Sequence, residues 1–349
     1  MAEVMVAMSG GVDSSVAAAL LIEAGHSVTG VTLKLWGGES DSGCCSVSDV
    51  DDARRVAYRL GIEHHVFNFA DEFDEFVVEP YVSAHQRGET PNPCVECNRH
   101  LKFDKLMRRA DTLGFDMVAT GHHARIVSRQ GIDSAPVRYV ARGCDKAKDQ
   151  SYVLYMLDQA TLARLLLPVG DITKGRVREI ASEIGLNTAD KPDSQDVCFI
   201  SSKGGRRVFL GDRIALSPAR LVDVDGQTIG QVSSIELVTL GQRRGLNLGG
   251  DEERRYVVDI DRQAEEVTVG HREDLMVSSQ PIRDLIWTDA PVGGEVQVQC
   301  SAHGSCRAAT IKGSEILWSQ PQPRVAPGQA VAIYCDDRVV GGGVTERAR

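Results

Sequence analysis

The sequence predicts an α/β fold, a doubly wound parallel sheet, followed by an all-β C-terminal portion. Three observations predict it. Short apolar runs alternate with amphipathic helical stretches over the first 120 residues, the rhythm of βαβ units. A glycine-rich turn joins the first apolar run to the first helix, and in such folds ligands sit at the carboxyl ends of the strands. After residue 205 the texture changes to short strands separated by Gly, Asp and Pro, the pattern of a sandwich or barrel.

In chain order, Val4 to Met8 reads as a buried strand, Ser9 to Ser15 as a tight loop, and Val16 to Ala24 as an Ala-rich helix stopped by Gly25. Ser27 to Leu35 is the second strand, and Val50 to Leu60 a helix ending at Gly61. Glu63 to Phe69 is a strand, and Asp71 to His85 and Phe103 to Leu113 are helices, the latter stopped by Gly114. Met117 to Thr120 is another buried strand, which leaves Gly10, Cys97 and Gly121 in or near loops beside the sheet. Residues 158–200 read as helix and loop, whereas Arg220-Leu-Val-Asp-Val-Asp-Gly and Glu295-Val-Gln-Val-Gln read as strands of the β-rich tail.

A length of 349 residues predicts two or three domains, and 42% hydrophobic residues supply a sizeable core. No apolar run approaches the ~18 residues of a membrane span, and no basic cluster precedes the first strand, so neither a membrane span nor a leader is expected. Nine cysteines, an odd number spread through the chain, argue for a reducing cytoplasm and for thiols with chemical roles. The net charge of −10 is unevenly distributed. Basic clusters at Arg99, Lys102, Lys105, Arg108 and Arg109, and again at Lys203, Arg206, Arg207, Arg213 and Arg220, leave room for a nucleic-acid partner.

Strand, glycine loop and helix N-terminus make an anion cradle, in which backbone N–H groups converge and the helix dipole adds positive charge. Neither Gly-Lys-Ser/Thr nor Gly-x-Gly-x-x-Gly is present, so the loop belongs to neither of those nucleotide-binding classes. Ser9-Gly10-Gly11-Val12-Asp13-Ser14 instead resembles the PP-loop of the N-type ATP pyrophosphatases, which split ATP into AMP and pyrophosphate. A second constellation, Thr90-Pro91-Asn92-Pro93-Cys94-Val95-Glu96-Cys97-Asn98, predicts a stiff extended loop presenting two cysteines. Cys-x-x-Cys serves redox pairs, zinc sites, iron–sulfur sites and nucleophiles alike, and without a second such pair zinc is not expected. Asp193-Ser-Gln-Asp-Val-Cys-Phe199 carries a further thiol, which read alone is a small buried hydrophobe.

These motifs occur in one order with Ala119-Thr-Gly-His122, Lys148-Asp-Gln-Ser-Tyr152 and Gly241-Gln-Arg-Arg-Gly245. Together they resemble the bacterial tRNA-specific 2-thiouridylases of the PP-loop superfamily, over nearly the whole chain. The resemblance implies a PP-loop domain (1–204), a small central domain (205–270) and a C-terminal β-barrel (271–349). It implies sulfuration of carbon 2 of the wobble uridine in tRNAs for Lys, Glu and Gln, after adenylation of the uridine O2. ATP falls to Ala7, Met8, Ser9, Gly10, Gly11, Val12, Asp13 and Ser14, with Leu33 and Gly121, and Asp13 helps to place Mg²⁺. Cys198 corresponds to the persulfide-bearing cysteine, and Cys97 to the second thiol that closes a Cys97–Cys198 disulfide in turnover. Asn92, Pro93 and Cys94 line the target base, and His122, Lys148, Asp149, Gln150 and Gln329 contact tRNA. A persulfide sulfur-donor protein, a cysteine desulfurase or a sulfur carrier, is the implied partner.

The sequence departs from the family pattern at Cys94, where many relatives carry Asp. A thiol titrates near ~8.5 against ~3.9 for Asp, so an acid–base role does not transfer directly. A set of Cys94, Cys97 and Cys198 is the alternative seat for a [4Fe-4S] cluster with one open iron. Gln299-Cys300 stands where relatives carry an Arg-Tyr pair on tRNA. Cys44, Cys45, Cys144, Cys300, Cys306 and Cys335 have no implied role. Two competitors remain: a PP-loop ligase that makes an amide, which leaves Cys97 and Cys198 idle, and a redox-sensing module built on Cys94 and Cys97.

Overall fold

A computed structural model of the protein describes residues 1–35, 47–130, 135–193, 197–200, 204–246 and 254–347. Cys44, Cys45 and residues 194–196 lie outside the described residues. The first portion contributes strands β1 (Glu3–Ala7), β2 (Ser27–Lys34), β3 (Glu63–Asn68) and β4 (Met117–Thr120). A hairpin of β5 (Ala124–Gln130) and β6 (Pro136–Arg142) follows, then the two-residue β7 (Leu165–Leu166). The hairpin apart, these strands form one sheet in the order β3-β2-β1-β4-β7, every neighbour parallel. The chain changes direction across the sheet at β1, so the carboxyl ends of β1 and β4, where Ala7 and Thr120 are register partners, are the switch point at which such sheets bind ligands.

The helices of this portion are α1 (Val12–Glu23), α2 (Val47–Leu60), α3 (70–86), α4 (93–113), α5 (Gln159–Ala163) and α6 (Lys174–Glu183). One face of the sheet, with α1 and α6, buries Val4, Val6, Val16, Ala17, Ala18, Val177 and Ala181. The other buries Met5, Val31 and Leu33 against Phe73, Tyr81, Leu101 and Leu106 of α3 and α4. Small residues on α1 let it lie close to the sheet, and burial of both faces explains why β1 reads as a continuous apolar run. Gly114, in the left-handed region at φ 80°, stops α4 where the sequence predicts it.

Helix α7 (Gly205–Gly211) leads into the central sheet, built from β8 (Ala219–Val222), β9 (Thr228–Val232), β10 (Tyr256–Asp261) and β11 (Glu266–Gly270) in the order β10-β11-β8-β9. It has its own core of Leu221, Val257, Val267 and Val269. The C-terminal strands are β12 (Met276–Trp287), β13 (Glu295–Gln299), β14 (Arg307–Lys312), β15 (Glu315–Pro323), β16 (Ala330–Cys335) and β17 (Arg338–Thr345). They run β12-β15-β14-β13-β16-β17, and pairing of β17 with β12 closes the barrel. Doubly wound parallel sheet, smaller central domain and C-terminal barrel are all present.

The β5–β6 hairpin is absent from the sequence expectation. It belongs to the first portion in sequence but joins the barrel sheet, with Ala141 opposite Arg338 of β17. Charged residues (Arg125, Arg129, Arg138) interrupt its alternation, and its partner strand lies about two hundred positions away, so no local signal marks it. The largest core cluster reflects the same joint, because it unites Tyr152, Leu154 and Tyr155 with Ala330, Ala332, Tyr334 and Val339 of the barrel. Among the described residues, no helix is long and apolar enough to cross a membrane.

Candidate active site

The loop after β1 is shaped by two close approaches that only glycine permits. Gly10 has φ 70°, and a Cβ there would lie 2.3 Å from the carbonyl oxygen of Asp49. Gly121, just past β4, would place a Cβ 2.5 Å from Ser14 N and 2.7 Å from Asp13 C. The end of β4 thus presses on the first turn of α1, across the crevice. Ser14 Oγ accepts from Ser9 N at 3.1 Å and donates to Gly11 O at 3.2 Å, and Ser15 Oγ donates to the same carbonyl at 2.8 Å. Lys191 braces the outer side through Gly10 O (3.0 Å), Asp49 (2.6 Å) and Asp52 (2.7 Å). Met8, Val12 and Leu33 are buried beneath the loop. Helix α1 begins at Val12, earlier than expected, which places Asp13 and Ser14 in its first turn, where unpaired backbone N–H groups converge. This cradle fits a phosphate chain.

Asp13 does not stand open beside it. Its carboxylate receives Lys174 Nζ at 2.7 Å on both oxygens and pairs with His123 Nε2 at 2.9 Å. Burial pushes the Asp13 carboxyl upward, but its bonds to His123 and Lys174 outweigh that and hold it below its ordinary value. The expected Mg²⁺ role therefore meets a carboxylate already occupied by an ammonium. Lys174 Nζ also reaches Asp193 at 3.0 Å, which in turn holds Lys148 (2.7 Å) and Arg178 (3.0 Å). Lys148, first among the causes, keeps Asp193 far below the usual carboxylate range. Sequence reasoning missed His123, Lys174 and Lys191. Lys174 left one signal: it is a cation in the first turn of a helix capped by Thr173, where the dipole disfavours positive charge.

Cys94 and Cys97 ride on a helix, not on an extended loop, which corrects the expectation. Pro93 occupies the first helical position, where its missing N–H costs nothing, and Asn92 Oδ1 caps the turn by accepting from Cys94 N at 3.1 Å. From Cys97 to Lys105 the helix widens to π-helical turns, and Asn98 Nδ2 anchors the bend on Val153 O at 3.1 Å. Cys198 is placed by its neighbour Phe199, whose ring meets Phe73, Tyr81 and Phe209 at centroid distances of 5.7, 5.3 and 5.0 Å. Cys97, Cys198 and Ala7 all pack against the same apolar cluster. No disulfide joins the seven described cysteines. Among the described residues no group of three His, Cys, Asp or Glu side chains that could hold a metal is found.

The residues expected to touch tRNA divide. Lys148 is exposed at the rim. Gln150 Oε1 accepts from His123 N at 2.9 Å, which fixes the chain beside Asp13. His122 is buried against Phe103, with Nδ1 2.7 Å from Thr120 Oγ1, and burial followed by nearby Lys102 holds its pKa well below the usual histidine range. Asp149 is also inward: it pairs with Arg142 Nη1 at 2.6 Å and accepts from Gly143 N and Ser151 Oγ at 3.0 and 2.9 Å. Gln329 Nε2 donates to Thr90 O, so the barrel grips the loop before Asn92. Gln299 is buried and accepts from Arg142 Nη2 at 2.9 Å. The Lys148-to-Tyr152 motif is thus largely a domain joint, finished by Ser151 on Tyr334 (3.0 Å) and Tyr152 on Ala330 O (2.7 Å).

Known proteins match this arrangement along its whole length. Residues 2–202 match the family described as "tRNA methyl transferase HUP domain", 207–271 its PRC-barrel domain, and 288–345 the aminomethyltransferase β-barrel domain. A tRNA-specific 2-thiouridylase MnmA from Carboxydothermus hydrogenoformans is 43% identical over 361 aligned positions, covering 99% of this chain and 98% of that one. Another of that name from Chloroflexus aurantiacus is 46% identical, with 98% of each chain covered. Among solved structures, the U34-tRNA thiolase NcsA of Methanococcus maripaludis, with its [4Fe-4S] cluster, aligns at TM-score 0.37 and 20% identity, over 57% of this chain and 62% of that one. On the full-length identity to these relatives, the chain belongs to the tRNA-specific 2-thiouridylase MnmA family.

Proposed function

We propose that the protein is an ATP-dependent tRNA-uridine 2-sulfurtransferase acting on the wobble uridine of tRNAs for Lys, Glu and Gln. Uridine O2 attacks the α-phosphorus of ATP and pyrophosphate leaves, so that carbon 2 carries AMP as its leaving group. The cradle of Gly10, Gly11 and the first turn of α1 holds the phosphates, and Mg²⁺ enters on their oxygens. The terminal sulfur of a Cys198 persulfide adds to carbon 2 and AMP departs. Cys97 thiolate then attacks the Cys198 sulfur, releasing 2-thiouridine and forming a Cys97–Cys198 disulfide, which a small thiol reduces. Asn92, Pro93 and Cys94 border the base, and Lys148 and Gln150 lie at the tRNA-facing rim. The sulfur comes from a persulfide-carrying protein in a reducing cytoplasm.

One observation carries this reading: Ala7 and Leu33, which flank the phosphate cradle, pack in the same core cluster as the Cys97 and Cys198 thiols. An amide-forming ligase would have no use for the thiols. Incubation with tRNA, ATP and a persulfide donor should yield AMP, pyrophosphate and 2-thiouridine in equal amounts, read by nucleoside mass spectrometry. Formation of ADP in place of AMP would overturn the assignment.

A further inference from the structure

We propose that Cys94 is the resolving thiol of the thiolation cycle: it attacks the Cys97–Cys198 disulfide at Cys97, closes a Cys94–Cys97 bond along α4 and frees Cys198 for the next sulfur. The inference rests on the persulfide reading above and gives chemistry to the one thiol of the Cys-x-x-Cys motif that this reading leaves beside the base.

Three features of the geometry support it. First, Cys94 and Cys97 stand at positions i and i+3 of one helix, a turn apart and on the same side of it. Leu101, the next turn along, is fully buried in the core cluster against which Cys97 and Cys198 both pack. The stripe that starts at Cys94 thus leads into the cluster that holds the other two thiols. Second, the helix can give where the bond must form. An i, i+3 pair holds its Cβ atoms about 5–6 Å apart, and a disulfide needs about 3.5–4.5 Å. Cys94 lies in the first turn, whose N–H groups have no earlier helical carbonyl to bind, and Cys97 lies where α-turns give way to π-turns. Pro93 has no N–H and the Cys94 N–H is capped by the Asn92 side chain at 3.1 Å, so this turn can tighten by about 1 Å while the body of α4 stays in place. Third, the first turn of a helix favours thiolate, the attacking form, and a thiol on the same helix as its target sulfur attacks at high effective concentration.

The exchange balances without a further reagent. Cys94 thiolate attacks Cys97 Sγ, the Cys94–Cys97 bond forms and the Cys97–Cys198 bond breaks. Cys198 departs with the electron pair and takes the proton that Cys94 lost. An external dithiol then delivers two electrons and two protons to the Cys94–Cys97 bond and itself becomes a disulfide. The reductant thus works at the start of α4 and not at the sulfur-loading cysteine.

The test follows one round of thiolation by the full chain, loaded with persulfide and given tRNA and ATP with no thiol reductant present. An acid quench and alkylation trap the thiols, and peptide mapping locates the bond. In wild type the peptide covering 88–99 should lack two hydrogens and carry no alkyl group, with Cys198 alkylated. This form should exceed the Cys97–Cys198 cross-link by about 5-fold or more. In Cys94→Ser the Cys97–Cys198 cross-link should accumulate instead. A wild-type protein that keeps Cys97 linked to Cys198, with Cys94 alkylated, would overturn the proposal. A second measurement needs no turnover: Cys198→Ser treated with glutathione disulfide should close the Cys94–Cys97 bond. Glutathione left attached to these thiols, with no closure, would also refute the proposal. Thiolated tRNA with no disulfide in either wild type or Cys94→Ser would defeat the persulfide reading itself, and the proposal with it.

Discussion

Asp149 and Arg142 form a half-sunken ion pair at 2.6 Å, and that pair is where the nucleotide-binding portion meets the barrel. The Arg142 guanidinium stacks 3.9 Å above the Tyr334 ring and reaches Gln299 Oε1 at 2.9 Å and Cys306 Sγ at 2.8 Å. The Asp149 side chain is only 6% exposed, so its role in this state is to join domains. Part of a motif expected to touch tRNA is thus spent on the contact between the first portion and the barrel.

Loss of that pair should be felt as stability first. Arg142→Met leaves a buried carboxylate without its cation, at a cost of about 3 kcal/mol. Urea unfolding followed separately through tyrosine absorbance and near-UV signals should show the barrel and the first portion parting into two transitions. A single transition at the wild-type midpoint would show that the joint does not depend on Arg142.

Gly10 and Gly11 should respond differently to substitution. A Cβ at Gly10 strikes the Asp49 carbonyl in a left-handed backbone, so Gly10→Ala should lower stability by about 1–3 kcal/mol as well as ATP affinity. At Gly11 a Cβ meets only Ser9 Oγ, at 3.4 Å, so Gly11→Val should fold normally and lose ATP because its side chain enters the phosphate path. Thermal melts with and without ATP separate the two. Equal melting losses in both variants would contradict the geometry.

How much of this was legible in the sequence depends on how local its cause is. The β1–loop–α1 unit was readable because its period, its glycines and its serines all lie within twenty residues. The helical setting of Cys94 was misread because Pro93 can stiffen a loop or open a helix, and the cap on Cys94 N decides which. Lys174, His123 and the hairpin partner Arg338 were invisible because each acts on residues a hundred or more positions away. Sequence order supplied the motifs, but the pairing of Asp13 with Lys174 exists only in three dimensions.

Two buried histidines predict acid lability. Burial, with Arg206 adding to it, lowers His85 to about 4, and burial, with nearby Lys102 adding to it, holds His122 well below the ordinary histidine value. Both are neutral when folded and bind protons more readily when unfolded. Their contribution to stability is therefore complete above the unfolded value of about 6.5 and is lost as pH falls from there toward 4. Asp13, whose folded pKa is depressed, adds a separate loss below its ordinary 3.8. Denaturant midpoints measured from pH 7 to pH 4 should decline, and His85→Gln should flatten the decline. An unchanged slope in that variant would remove His85 from the explanation.

The two thiols and their neighbour Cys94 give the most discriminating prediction. Cys97→Ser and Cys198→Ser should each lower thiolation by at least ~100-fold, since a hydroxyl is a far weaker nucleophile than a thiolate. Cys94 sits at the capped start of α4. By the persulfide route, iron-free protein supplied with a persulfide donor should thiolate tRNA. Cys94→Asp should retain activity within about 10-fold and move its pH profile downward, because a carboxyl titrates well below a thiol. A cluster-dependent reaction behaves otherwise: activity follows iron and acid-labile sulfide, and Cys94→Asp loses both together. Iron content and 2-thiouridine yield, measured side by side for wild type and Cys94→Asp, separate the two chemistries. Strict proportionality between iron and yield would refute the persulfide route.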